Sequence, residues 1–229
     1  MKKIKIIALL MGFCVVLSSC GTWNNMSKTG QGAIIGTGGG AALGSIIGAI
    51  AGNTGIGAAI GAAVGAGTGA IIGNRMDKVK KKAEAELQNA QVETVKDANG
   101  LDAVKLTFNS GILFDTNKAV LSAKSKADLA DLANILKQNA DLAVDVRGYT
   151  DNTGTDAINN PLSVGRAQSV VNYLANSGVQ YSQFKNVNGY GSSNPVADNS
   201  TAEGRQQNRR VEVYLYASEE MIKAASQAN

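Results

Sequence analysis

Histidine is absent from the 229 residues. Its absence removes every His-based catalytic dyad or triad and every His metal site. Cysteine occurs only at positions 14 and 20, so no thiolate cluster can hold zinc or iron–sulfur. The 2 prolines exclude a Pro-rich linker protein, and the 27 glycines follow no collagen period. A formal net charge of +4 is too small to mark a nucleic-acid binder. No pair of carboxylates stands at a spacing that suggests acid–base work. The sequence therefore points away from an enzyme, with no catalytic residue, metal or cofactor expected.

The first thirty residues read as an address. Lys2, Lys3 and Lys5 precede an apolar run from Ile6 to Leu17. That run is too short for a membrane span and fits a secretory signal peptide over residues 1–19. Leu17-Ser18-Ser19-Cys20 resembles a bacterial lipobox, which implies that Cys20 is acylated and becomes the first mature residue, heading a lipidated linker over 20–30. A multiply acylated cysteine is a stable membrane anchor. Gly21, not an Asp, follows the cysteine; by resemblance to enterobacterial sorting, this favours the outer membrane. Cleavage would remove three of the 22 basic side chains and none of the 18 acidic ones, leaving 19 against 18. The basic balance thus belongs to the signal peptide.

Glycines then stand at 32, 36, 40, 44, 48 and 52, and again at 57, 61, 65, 69 and 73. A spacing of four lines one helix face with glycine, where a second helix can approach backbone to backbone. Each glycine costs a water-exposed helix about 1 kcal/mol against alanine, so the ladder makes sense only when packed. Residues 31–74 are expected to form a glycine-zipper helical hairpin turning at Asn53-Thr54-Gly55. Its arms would be about 31 and 25 Å long at 1.5 Å per residue. The hairpin could insert in a bilayer or self-associate; a flexible spacer is the plainer alternative.

Residues 75–91 read as a charged helical stalk in solvent. Met76, Val79, Ala83, Leu87 and Ala90 recur at three- and four-residue steps among lysines and glutamates. From Val92 the composition is that of a globular domain. Strands are expected at 104–108, 142–150, 184–190 and 210–217. Helices are expected over 122–138, capped by Ser122, and over 162–176, stopped by Gly178. The second helix should bury Val164, Ala167, Val171 and Leu174. The order β-α-β-α-β-β gives an α+β fold with helices on one face of a mixed sheet. Residues 218–229 are expected as a short helix or frayed tail.

Several separated motifs carry a resemblance. Gly148-Tyr149-Thr150-Asp151-Asn152-Thr153-Gly154, Asn159, Leu162-Ser163-Val164-Gly165-Arg166-Ala167, Gly189-Tyr190-Gly191 and Asn208-Arg209-Arg210-Val211-Glu212 resemble the OmpA carboxy-terminal domain. The domain is placed at 92–217, and the whole layout resembles the YiaD-type outer-membrane lipoproteins. The resemblance implies noncovalent binding of the peptidoglycan stem peptide at diaminopimelate. It gives Asp151 and Arg166 the binding roles, with Asn159, Thr153 and Asp115 shaping the pocket and Arg209 or Arg210 closing its far side.

The chemistry agrees. Diaminopimelate presents an ammonium and a carboxylate on one centre, and asks for a fixed anion and a fixed cation. Asp151, in a turn after a strand, can accept from the ammonium. Arg166, placed in the first turn of the next helix, can grip the carboxylate with its planar fork. The helix amino terminus would add N–H groups for the same carboxylate. Gly165 beside Arg166 would loosen that turn. The function expected is an outer-membrane lipoprotein, its domain facing the periplasm, that ties the membrane to the wall. A membrane-active glycine-zipper oligomer or an envelope assembly factor, positioned by the wall-binding domain, is the alternative.

Overall fold

The computed structural model describes residues 66–114 and 118–228. The segments read as signal peptide and lipidated linker, and the zipper up to residue 65, lie outside them. So does Asp115.

Helix α1 spans Ala66–Glu86. Its stripe Ile72, Met76, Val79 and Ala83, continued by Leu87, is at most 3% exposed. These residues join one core with β-strand and helix side chains of the domain. The solvated stalk over 75–91 is thus corrected. The stripe was legible, but a stripe states which face is dry and not what dries it. Lys80–Glu84 and Lys82–Glu86 ion pairs lie on the partly exposed side. Arg75 reaches across to Asp141 at 3.1 Å. The last zipper glycines, Gly69 and Gly73, therefore belong to a helix seated on the domain.

Strands β1 (Ala90–Lys96) and β2 (Asp102–Asn109) form an antiparallel hairpin. Asp97 shapes the turn by accepting from the backbone N–H of Asn99 and Leu101, both at 2.8 Å. The domain boundary expected at Val92 falls inside β1, so the domain starts earlier than the sequence suggests. One helical turn, α2 (Ser110–Leu113), leads to α3 (Ala123–Gln138). Ser122 caps α3 by accepting from Ser125 N–H. Strand β3 (Leu142–Gly148), helix α4 (Asp156–Asn176) and strand β4 (Phe184–Gly189) follow. Then come α5 (Ala202–Asn208), β5 (Arg210–Ala217) and α6 (Glu219–Gln227).

The five strands lie in the order β1-β2-β5-β3-β4. Only β3 and β4 pair in parallel, and such a pair needs a crossover, here α4. Leu106, Phe108, Val144, Val146, Val213 and Leu215 face the helices and are buried. The other face carries charge that is also buried, and it is held by partners. Glu212 accepts from Arg210 and from Tyr214, each at 2.7 Å. Asp145 accepts from Asn186 and Tyr216, each at 2.9 Å. The tail is the ordered helix α6, with Met221, Ile222 and Ala225 buried in the core.

Helix α4 departs from the sequence reading. It begins at Asp156, six residues before Leu162, and Pro161 lies inside it. Proline fixes a helical φ, and its missing N–H costs one ladder bond near the helix start. Val164 is 46% exposed, against expectation, while Ala167, Val170, Val171 and Leu174 are buried.

Candidate functional site

The carboxyl ends of β3 and β4 present two glycines to α4. A Cβ on Gly148 would stand 2.1 Å from the Ser163 carbonyl oxygen, and one on Gly189 would stand 2.2 Å from Val164 N. Both are backbone contacts that cannot yield, so only glycine lets α4 rest directly on the strand ends. Gly191 N–H donates to Ser163 Oγ at 2.9 Å and locks that seat. Arg166, one turn further, is carried over the end of β3.

Asp151 follows β3 in a loop and is 6% exposed. Its Oδ1 accepts from Thr153 N–H at 2.8 Å, and its Oδ2 accepts from Arg209 Nη1. Burial pushes the carboxyl up, but the bonds from Arg209 and Thr153 outweigh it and hold Asp151 below the usual carboxylate range. Asn159, buried on α4, donates to the carbonyls of Asp151 and Thr153 at 3.4 and 3.2 Å. It shapes the loop from behind. Thr153 contributes its backbone on both sides of the same loop, where Gly154 at φ +90° makes the turn.

Arg166 is 3% exposed. Its Nε donates to the Lys118 carbonyl at 3.2 Å, and its guanidinium lies 5.4 Å from the Phe114 ring centroid. Its Nη1 is buried and donates to nothing. Burial lowers its pKa, Arg209 lowers it further, and Asp151 offsets part of this. Gly165 has a use here. A Cβ on it would meet Ala119 Cβ at 3.4 Å, so the bare α4 surface lets the 118–119 loop come close.

One expectation is corrected. Arg166 stands about three turns into α4 and not in its first turn, so the free N–H groups of the helix start lie about 15 Å back along the axis. They are not beside Arg166. Asp151 is paired with Arg209, and among the described residues no ion pair joins it to Arg166. Arg209 and Arg210 take different paths, as neighbours at a strand start must. Arg209 enters the site. Arg210 is 4% exposed, bonds Glu212 and lies 3.8 Å from the Tyr149 ring centroid.

Asp151, Asn159, Thr153, Arg166 and Arg209 thus converge where β3, α4 and the start of β5 meet. The loop segment 115–117 lies outside the described residues. Sequence reasoning did not single out Asn208, which is fully buried. Its Oδ1 accepts from Val196 and Ala197 N–H, and its Nδ2 donates to Ala197 O and Asn199 Oδ1. It knits the 196–199 loop to the residue before Arg209. Its place at the head of the Asn208-Arg209-Arg210 motif was the available signal. Among the described residues the arrangement offers one carboxylate and two guanidiniums, one of them with spare donor capacity, and no group of metal-ligating side chains.

Residues 113–209 match the OmpA family, and residues 1–77 match the YMGG-like Gly-zipper family. The chain is 37% identical over 144 residues to the Escherichia coli K12 protein named "Probable lipoprotein YiaD", covering 63% of this chain and 64% of that one. It is 42% identical over 113 residues to the peptidoglycan-binding protein ArfA of Mycobacterium tuberculosis, covering 49% of this chain and 34% of that one. The chain thus spans less than two thirds of either relative. The solved cell wall anchor of the T6SS from Pseudomonas aeruginosa superposes with a TM-score of 0.52 at 28% identity, covering 63% of this chain and 98% of that one. Residues 113–209 thus carry the likeness to the OmpA family, and residues 1–77 the likeness to the YMGG-like glycine zipper.

Proposed function

We propose that this protein is an outer-membrane lipoprotein that binds peptidoglycan noncovalently and ties the membrane to the wall. Cys20 carries the lipid, and the domain faces the periplasm. The ligand group is the diaminopimelate centre of the stem peptide. One observation carries the reading: a nearly buried arginine with an unused donor stands beside a buried carboxylate. A buried guanidinium with an unmet donor is costly, and a carboxylate ligand would relieve that cost. The names of the relatives support the same direction, since ArfA is a peptidoglycan-binding protein and the T6SS protein is a cell wall anchor.

Arg166 would hold the ligand carboxylate, and Asp151 would answer its ammonium. Thr153 and Asn159 hold the Asp151 loop in shape; Asp115, outside the described residues, is assigned to the pocket by the resemblance alone. No bond is made or broken. The test is co-sedimentation with purified sacculi. Asp151→Ala and Arg166→Ala should each stay in the supernatant while keeping wild-type circular dichroism. Pull-down unchanged in both variants would end the proposal.

A further inference from the structure

On the face of the sheet away from the helices, β1, β2 and the start of β5 frame a cleft of about 670 Å³. Small-ligand sites run to roughly 300–1,000 Å³. Its floor is a row of cross-strand neighbours, Gln91 opposite Thr107 and Thr107 opposite Glu212. Gln88 and Gln207 also line it. The charges in the cleft are already answered. Lys105 pairs with Glu93 at 2.6 Å, and Arg210 with Glu212 at 2.7 Å. Glu93 also accepts from Gln91, and Glu212 from Tyr214. What stays open is neutral. Among the described residues, the side chains of Gln88, Thr107 and Gln207 have no hydrogen-bond partner. Each amide offers one acceptor and two donors, and the hydroxyl can do both.

That inventory selects a ligand. An ion would have to break a pair already made, and lose water in doing so. An apolar group would cover the amides and leave them unmet. A neutral molecule rich in hydroxyl and amide groups breaks nothing and meets them all. We infer that this cleft is a second binding site, for the N-acetylated sugars of the glycan strand. This rests on the wall-binding reading above, because in peptidoglycan the stem peptide hangs from such a strand. The position agrees. Arg209 and Arg210 leave the start of β5 in different directions: one enters the Asp151 site, and the other floors the cleft. The two sites therefore adjoin there. In the polymer, diaminopimelate is joined to its sugar by a spacer of about three residues, roughly 10 Å when extended. Among the described residues no aromatic ring lines the cleft, so the sugars are held by hydrogen bonds alone, and weakly. A weak site still adds affinity when its ligand is tethered, since a short linker supplies a millimolar effective concentration.

The measurement compares a stem tripeptide ending in diaminopimelate with the same tripeptide joined to its disaccharide, by calorimetry on the full mature chain in detergent. The wild type should bind the joined ligand about three- to tenfold tighter. Thr107→Val together with Gln207→Ala removes a hydroxyl and an amide from the cleft and leaves the Asp151 site untouched. In that double variant the two affinities should become equal. The tripeptide affinity itself should not move, which shows that the fold is intact. Equal affinities in the wild type, or a gain that survives the double variant, would overturn the inference and leave wall binding standing. An N-acetylglucosamine tetramer tests the cleft without any peptide. At millimolar concentration it should shift the side-chain amide NMR signals of Gln91 and Gln207. Shifts of those signals by the tripeptide instead would give the cleft to peptide and overturn the inference. A tripeptide that fails to bind the wild type would remove the wall-binding reading; the tetramer then decides the cleft, and no shift ends the inference.

Discussion

Replacing Met76 by alanine distinguishes a helix that belongs to the domain from a stalk that merely carries it. Met76 is 1% exposed and stands in the middle of the α1 stripe, flanked by Ile72 and Val79 in the same core. Truncating a buried methionine to alanine removes its transfer energy and leaves a cavity, a loss of about 2–5 kcal/mol. For a domain of this size each kcal/mol moves the melting point by roughly 2–4 °C. A loss of about 3 kcal/mol should therefore lower it by roughly 6–12 °C. Asp77→Ala is the control. Asp77 is the exposed neighbour on the same helix, and its loss should cost less than about 0.5 kcal/mol. The assay is thermal unfolding of the mature chain in detergent, followed by the near-ultraviolet signal of the domain's tyrosines. If Met76→Ala and Asp77→Ala both overlay the wild type, α1 is not part of the cooperative unit and the packing argument fails. A positive result has a consequence for the anchor: the zipper's last turns would be rigid with the binding domain, leaving no hinge at residue 75.

Other outcomes follow from the same geometry. Gly189→Ala puts a methyl 2.2 Å from Val164 N, so α4 must shift; the variant should lose more than about 1–3 kcal/mol in urea titration and fail to co-sediment with sacculi. Gly165→Ala meets only a side-chain methyl at 3.4 Å, and should hold or raise the melting point, since alanine favours the helix by about 1 kcal/mol. Asp151 has a lowered pKa in the folded protein. Its stabilising contribution is therefore present above the ordinary carboxylate range and lost only as the pH falls below it. Melting curves of wild type and Asp151→Asn should differ at pH 6 and converge as the pH approaches about 3; a constant gap would contradict the shift. Cys20→Ala should move the protein from the membrane to the soluble periplasmic fraction, and retention in membranes would assign anchoring to the zipper.

Local patterns were written plainly in the chain. The alternation Val211, Val213, Leu215 marks β5, Ser122 marks the start of α3, and the spacing of Met76, Val79 and Ala83 marks a helix. Each depends on neighbours within a turn or a strand, and such signals survive in one dimension. The start of α4 was missed because Asp156 to Asn160 carry little apolar periodicity and Pro161 reads as a boundary. The phase of the α4 buried stripe was legible, since Ala167, Val171 and Leu174 are buried as expected and Val164 alone is not.

The sequence by itself determined the residue types of the site, because a carboxylate and a guanidinium in recognisable motifs state their chemistry wherever they fold. It also determined four of the five strands, β1 being the one missed, and the longer helices. Only the tertiary structure decided who pairs with whom. Asp151 and Arg209 are 58 residues apart, and they meet because β5, the last strand in the chain, inserts between β2 and β3. That insertion, and the burial of α1 against the sheet, are contacts between distant segments. No local propensity encodes them; they follow from the shared core that all the elements bury together.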